Sequence, residues 1–415
     1  MTMKRENPML AYGAVTAAYW AFMLTDGALR MLVLLHFHTL GFSPVSLAYL
    51  FLLYELMGVV TNLSAGWIAA RFGLSSTLYA GLSLQVIALL ALSQFDPNIG
   101  VFWSVVFVML VQGLSGVAKD LAKMSSKSAV KILAPSEDSK LFKWVAALTG
   151  SKNAVKGFGF LLGAVLLGQW GFLPAVLGMA AILSVILVAV VLFMPAGLPK
   201  GKKSAKFTDV FSKDARVNAL SLARVFLFGA RDVWFVVGIP IYFYSILSDG
   251  SEAGNRAAFF QIGSFMAVWI IAYGVVQAFA PKFFKTHPAN AVMGQKWAVI
   301  LAVIPLMLAL CVVVFPVSNM LTILVVIGLL LFGFVFAVNS SLHSYLILSY
   351  STSERVTMDV GFYYMSNAAG RLFGTVLSGV SYQIGGLAFC LAVAAAMVGV
   401  SALAMGRLSR VDALG

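Results

Sequence analysis

The sequence predicts an all-α membrane protein, with twelve bilayer-spanning helices in two pseudo-symmetric six-helix halves and both termini on one side. Three observations predict it: an apolar composition, apolar runs of helix length, and a basic polar stretch that cuts the chain at its middle. Of 415 residues, 61% are hydrophobic and only 10% charged, with a mean hydropathy of +0.96. A soluble chain of this length needs far more polar surface. The apolar runs are about 20 residues long, enough to cross a bilayer as helices, and lack the roughly ten-residue alternation of barrel strands.

The expected spans are 10–37, 45–70, 74–94, 100–123, 141–168, 172–194, 217–247, 257–281, 295–315, 320–347, 356–384 and 387–407. Turn or charge signals mark the breaks: FSP at 42, FDPN at 95, APSEDS at 134, LPKGKK at 198, THP at 286 and FPVSN at 315. One set of loops and termini holds Lys4, Arg5, Arg71, Lys127, Lys131, Lys140, Lys143, Lys200, Lys202, Lys203, Lys206, Lys213, Arg216, Lys282, Lys285, Arg355, Arg407 and Arg410. The opposite loops hold a single base, Arg256, beside Asp96, Asp249 and Glu252. By the bias of basic residues toward the cytoplasm, both termini are expected there. The formal charge of +13 is largely this bias and calls for the bilayer as partner, not nucleic acid. No cleavable signal peptide is expected, because Lys4 and Arg5 lead straight into a full-length span. Cys311 and Cys390 stand alone in apolar runs, and His36 and His38 point apart on a helix, so neither a metal nor another cofactor is expected.

The polar stretch 195–216 separates an N-terminal half, 1–194, from a C-terminal half, 217–415. The halves echo each other. MGVVTNLSAGW recurs loosely as YGVVQAFAPKF, and KNAVKGFGFLLG resembles SNAAGRLFGTVLSG, aligning Asn153 with Asn367, Gly159 with Gly374 and Lys156 with Arg371. Two such halves joined by a basic loop resemble the major facilitator superfamily of transporters. GWIAARFG, 66–73, is similar to that superfamily's loop signature, with Ala70 where an acid is usual.

Ionisable residues inside the spans carry the functional signal. The bases are Arg30, Lys119, Lys123, Lys152, Lys156, Arg224, Arg231 and Arg371; the acids are Asp26, Glu55, Asp120 and Asp232. Each unmatched charge costs about 2.5–3.5 kcal/mol at a helix centre even on the lenient insertion scale. Asp26 stands four residues before Arg30, the order that favours a helical pair. Asp120 and Asp232 adjoin Lys119 and Arg231, and adjacent residues do not face each other, so each must pair elsewhere or be protonated. Lys119, Lys123, Lys127 and Lys131 step by four along one helix face. Arg231 stands in span 7 roughly where Arg30 stands in span 1. Such charges either lock helices structurally or await an anionic substrate; the surplus of bases, deepest at Arg30, Lys156, Arg231 and Arg371, points to the substrate. Guanidinium grips phosphate-like oxyanions with two parallel hydrogen bonds. Tyr12, Tyr19, Asn62, Gln85, Gln112, Asn153, Tyr273, Gln277, Asn339, Tyr363 and Asn367 are polar positions that can read hydroxyls or simply join helices.

YWAFMLTDGALRMLVLLHFHTLGFSP, GLSGVAKDLAKMSSKSAVKIL, WVAALTGSKNAVKGFGF and RVFLFGARDVWFVVGIPIY together resemble the ArsJ family of organoarsenical exporters. The resemblance implies secondary-active efflux of 1-arseno-3-phosphoglycerate across a bacterial inner membrane, which confers arsenate resistance. It also implies a functional pairing with glyceraldehyde-3-phosphate dehydrogenase, which makes that ester. It assigns no site residues, so the charges above carry the site: the eight bases with Asn153, Asn367 and Tyr363 for substrate. Asp26, Glu55, Asp120 and Asp232 stand as proton-coupling or counter-ion candidates. Another phosphorylated metabolite or organic anion is the alternative cargo. An enzyme is not expected, for no catalytic residue set, GxSxG or glycine-rich nucleotide loop is present. A sensor with a long cytoplasmic domain does not fit the short central loop.

Overall fold

The computed structural model describes the backbone of residues 8–133, 138–193, 212, 214–283, 290–351 and 356–414. The linker at 195–211 and the THP turn lie outside the described residues, as do Lys4, Arg5, Lys213, Lys285 and Arg355. So do the side chains of Tyr12, Ala70, Arg71, Lys127, Lys131, Lys140, Lys143 and Lys282.

Every described element is helical. The first group comprises α1 (Pro8–Thr39), α2 (Pro44–Leu50), α3 (Leu52–Phe72), α4 (Leu74–Leu92), α5 (Val101–Leu133), α6 (Asp138–Trp170) and α7 (Phe172–Phe193). The second comprises α8 (Ala215–Val233), a π-helical turn (Trp234–Gly238), α9 (Ile239–Leu247), α10 (Glu252–Phe283), α11 (Ala291–Val314), α12 (Asn319–Tyr350) and α13 (Val356–Leu414). Ten stretches among the described residues are long and apolar enough to cross a membrane. Polar caps start helices where the turn signals stand. Ser43 accepts from Ser46 N, Asn290 from Met293 N and Ser318 from Leu321 N, each satisfying a donor that the first helical turn leaves open. Glycine supplies the tightest reversals. Gly171, at φ 79°, is the single residue between α6 and α7, and Gly386, at φ 59°, bends α13 into two arms.

Two expected spans are interrupted. The stretch 45–70 breaks at Phe51, between α2 and α3. The stretch 217–247 contains the π turn. Pro240 lacks an N–H and its ring crowds the preceding turn, which favours such a bulge. Buried Ser378 repairs the ladder, its hydroxyl accepting from Val237 N at 3.0 Å and Gly238 N at 3.2 Å.

Glycines set the closest helix crossings. An added Cβ on Gly159 would stand 2.5 Å from the Leu24 carbonyl, and one on Gly163 would strike the Ala28 carbonyl, so α6 lies backbone to backbone on α1. On the other side Gly370 meets the Val225 carbonyl, and a Cβ on Gly374 would stand 2.5 Å from the Gly229 carbonyl. The α1–α6 pair is therefore repeated as α8–α13. This packing equates Gly159 with Gly370 and Gly163 with Gly374, one turn away from the register read off the sequence. Asn153 and Asn367 are then not equivalent. The counterpart of Lys156 is Asn367, and that of Arg371 is Phe160. Arg30, two residues past Ala28, does match Arg231, two past Gly229. The motif alignment slipped because small residues recur at every fourth position in these helices.

Replacing Ser378 with alanine would leave two buried N–H groups unsatisfied, at a cost of about 1–3 kcal/mol. The expected outcome is a lower midpoint of thermal unfolding for S378A, and no loss for S378T, which keeps the hydroxyl.

Candidate functional site

A cavity of about 510 Å³ lies between the two groups of helices, large enough for a small metabolite. All eight sequence-predicted bases line it, as do Asn153, Asn367, Glu55, Asp120 and Asp232. Tyr363 and Asp26 stand just behind the wall, against Arg224 and Lys156 respectively. Of the other polar positions, Tyr19, Asn62, Tyr273 and Gln277 reach the cavity. Gln85 instead accepts from Ser115 at 2.7 Å.

Among the described residues the cavity lining extends toward one face. It runs from mid-helix toward the ends where α1 and α8 begin, α3 and α5 end, and α13 starts. Asn62, Lys123, Gln277, Ser344 and Val360 mark that direction. The opposite face is closed. There Val45 N donates to Gln383 Oε1 at 3.4 Å, and the His38 ring meets Tyr244 edge-on at 4.8 Å. An added Cβ on Gly379 would stand 2.5 Å from the Pro44 carbonyl.

At the inner end of the cavity the charges form a chain. Arg30 Nη1 donates to Glu55 Oε1 at 2.9 Å, and Arg371 Nη2 donates to the same oxygen at 2.6 Å. Arg371 Nε reaches Asp232 Oδ2 at 3.4 Å, and Arg231 Nε donates to Asp232 Oδ1 at 2.6 Å. Three guanidinium groups thus alternate with two carboxylates. Glu55 on α3 and Arg371 on α13 carry the chain from the first group of helices to the second. Glu55 is 1% exposed, so water contributes little to holding the pair.

The remaining acids are engaged as well. Asp120 accepts from Thr61 at 2.6 Å and from Lys123 at 3.3 Å, while Lys123 also donates to Asn62 at 2.8 Å. Asp26 accepts from the Tyr54 hydroxyl at 2.6 Å. Its other oxygen lies 3.6 Å from Lys156 Nζ, an ionic contact too long for a good hydrogen bond. Two expected pairings are corrected here. Asp26 does not pair with Arg30: it accepts from Tyr54 and faces Lys156, while Arg30 donates to Glu55. Asp232 does pair with its neighbour Arg231, whose long stem folds back along α8.

Several important groups were missed in the sequence. Tyr54 carries the Lys119 ammonium 3.9 Å over its ring, and Phe228 carries the Arg224 guanidinium at 3.9 Å. Ser340 accepts from Gln277 at 2.8 Å, and Gln277 accepts from Asn153 at 3.2 Å. Only the position of Tyr54, next to Glu55, hinted at a role.

Compared by sequence, the chain matches no protein-family model and no curated protein. By structure it is similar to a nucleoside transporter, NupG, with a TM-score of 0.68 at 15% identity, covering 97% of this chain and 99% of that one. It is also similar to a POT family transporter in complex with 5-aminolevulinic acid, with a TM-score of 0.69 at 16% identity and 96% of each chain covered. A POT family transporter in complex with a thioalcohol-conjugated peptide gives 0.69 at 15% identity and 94% of each chain. At these identities the likeness shows the fold alone, which this chain shares with these transporters.

Two outcomes check the site. Glu55→Ala leaves Arg30 and Arg371 buried without their shared carboxylate, and should cost about 3–5 kcal/mol in thermal unfolding of the purified protein. In a C311S/C390A background, Gln277→Cys and Gln383→Cys should label from opposite behaviours. A water-soluble maleimide added from the face bearing the termini should modify the first and spare the second.

Proposed function

We propose that the chain is a major facilitator transporter of a small organic anion, seen with its cavity open to the cytoplasm. In this reading α6 and the two arms of α13 complete twelve crossings, in two six-helix halves joined by the 195–216 linker. The bias of basic residues in the sequence supports a cytoplasmic position for both termini. One observation carries the proposal: among the described residues eight bases but only three acids line a single cavity, with Asp26 behind it facing Lys156. An anionic cargo completes that balance whenever it binds.

The preferred cargo is 1-arseno-3-phosphoglycerate, which the ArsJ resemblance implies. It carries a phosphate at one end, an acyl arsenate at the other and a hydroxyl between, so it offers two anionic groups to cations contributed by both halves. Glyceraldehyde-3-phosphate dehydrogenase would supply it at the inner membrane of a bacterium, and efflux would separate the cell from arsenate. Another phosphorylated metabolite is the alternative cargo.

The four membrane acids act as counter-ions in this account, since each already faces a base. The electrical potential then drives export. Moving one negative charge out of a cell that is negative inside releases about 2.3 kcal/mol per 100 mV.

Everted membrane vesicles supplied with the dehydrogenase, its sugar substrate, NAD and arsenate test both statements. Arsenic should accumulate inside only when all four are present, and accumulation should follow an imposed positive-inside potential. Accumulation with the dehydrogenase omitted would overturn the cargo. Accumulation driven by a pH gradient at zero potential would overturn the coupling.

A further inference from the structure

The cavity cations do not have equal company. Arg30 and Lys123 lie 2.9 and 3.3 Å from carboxylate oxygens, Lys156 lies 3.6 Å away, and Arg231 and Arg371 each have one at 2.6 Å. Lys119 and Arg224 differ. Among the described residues neither has a carboxylate within ion-pair distance, yet they are only 7% and 4% exposed. What they have instead is aromatic rings. Lys119 Nζ sits 3.9 Å from the centre of Tyr54, and the Arg224 guanidinium 3.9 Å from Phe228 and 4.8 Å from Tyr363. A ring face returns about 0.5–2 kcal/mol to a cation. Withdrawing that cation from water costs several. Burial without a carboxylate is therefore a standing deficit at two points, one on α5 and one on α8, on opposite sides of the same cavity.

The surroundings of Arg224 add a second, independent observation. Its Nη1 donates to the Ser340 carbonyl at 2.9 Å, but its Nε is buried with no partner. Asn339 and His343 flank Ser340 on α12, and both are fully buried with neither side-chain end hydrogen-bonded. Buried polar groups are ordinarily satisfied, and Arg224, which lines the cavity, keeps its Nε for a ligand to complete. The Tyr363 and Ser344 hydroxyls stand beside it, 3.5 Å apart.

We infer that Lys119 and Arg224 are the two anchors of one substrate, a short organic molecule with an oxyanion group at each end. The inference rests on the anion-transport reading and deepens it by separating the grips from the rest of the charges. The planar fork of Arg224 takes one tetrahedral oxyanion, with two parallel hydrogen bonds. The Lys119 ammonium takes the other as a point charge. Arg30, Glu55, Arg371, Asp232 and Arg231 hold the floor of the cavity and join the helix groups. Substrate at both anchors then links helices from the two sides of the cavity, which a molecule with one charged end cannot do.

The test uses the full-length protein in nanodiscs and two probes, propane-1,3-diol bisphosphate and glycerol 3-phosphate, titrated by calorimetry. The wild type should bind the bisphosphate at least tenfold more tightly. K119M and R224M should each reduce bisphosphate affinity to the level of the monophosphate, while R256Q, on the closed face, should keep the full preference. Without ligand, K119M and R224M should melt at or above the wild-type temperature, because each removes a buried cation with no carboxylate within ion-pair distance among the described residues. Retention of the tenfold preference in either variant would overturn the assignment, and so would a clear fall in melting temperature, the mark of a structural role. R224K supplies a second arm: it keeps the charge and loses the fork, and unchanged bisphosphate affinity counts against the assignment. A wild type that binds neither probe would instead sink the anion-transport reading itself.

Discussion

Positive charge is hard to hold inside a membrane protein, and among the described residues lining this cavity bases outnumber carboxylates. That constraint organises the interior. Helices cross closely where glycines allow it, and those crossings decide which acid each base can reach. Where Gly27 meets Gly159, Asp26 faces Lys156. Gly229 against Gly374 holds Asp232 between Arg231 and Arg371. Glu55, left on α3, becomes the shared partner of Arg30 and Arg371. Packing and electrostatics are therefore one problem in this fold.

The Glu55–Arg371 bond has a particular place in that scheme. It is the ionic tie across the cavity floor, and it lies between the open mouth and the closed face where Val45 meets Gln383. On the transport reading proposed above, such a tie would loosen when the cavity opens the other way. Interfaces of this kind switch between two arrangements rather than bending gradually. The π turn held by Ser378 lies a few residues beyond Asp232, at the point where such a change would be absorbed.

Much of this was legible in the sequence. Apolar runs bounded by FSP, FDPN and FPVSN located helix ends, because proline and polar clusters cannot continue a helix in hydrocarbon. The ionisable residues of the spans pointed to a cavity, because bases outnumber the acids that could pair with them. Other features were not legible. Pairing depends on which helix face meets which neighbour, and a sequence gives spacing along one helix only; hence Asp26 was assigned to Arg30. Internal symmetry misled by one turn at Gly159, since repeated small residues align equally well in neighbouring registers. The aromatic supports, Tyr54 and Phe228, were silent because tyrosine and phenylalanine are ordinary in any membrane helix. The breaks at Phe51 and Trp234 left no mark except the nearby Pro240.

The central claim is that the cavity is electrically incomplete without an anion. Equilibrium binding of radiolabelled 3-phosphoglycerate to the purified protein, in competition with glycerol or an uncharged nucleoside, tests it most directly. The account predicts saturable binding that weakens as salt rises and that neither uncharged compound displaces. Displacement by an uncharged compound at similar concentration, or binding indifferent to salt, would contradict it.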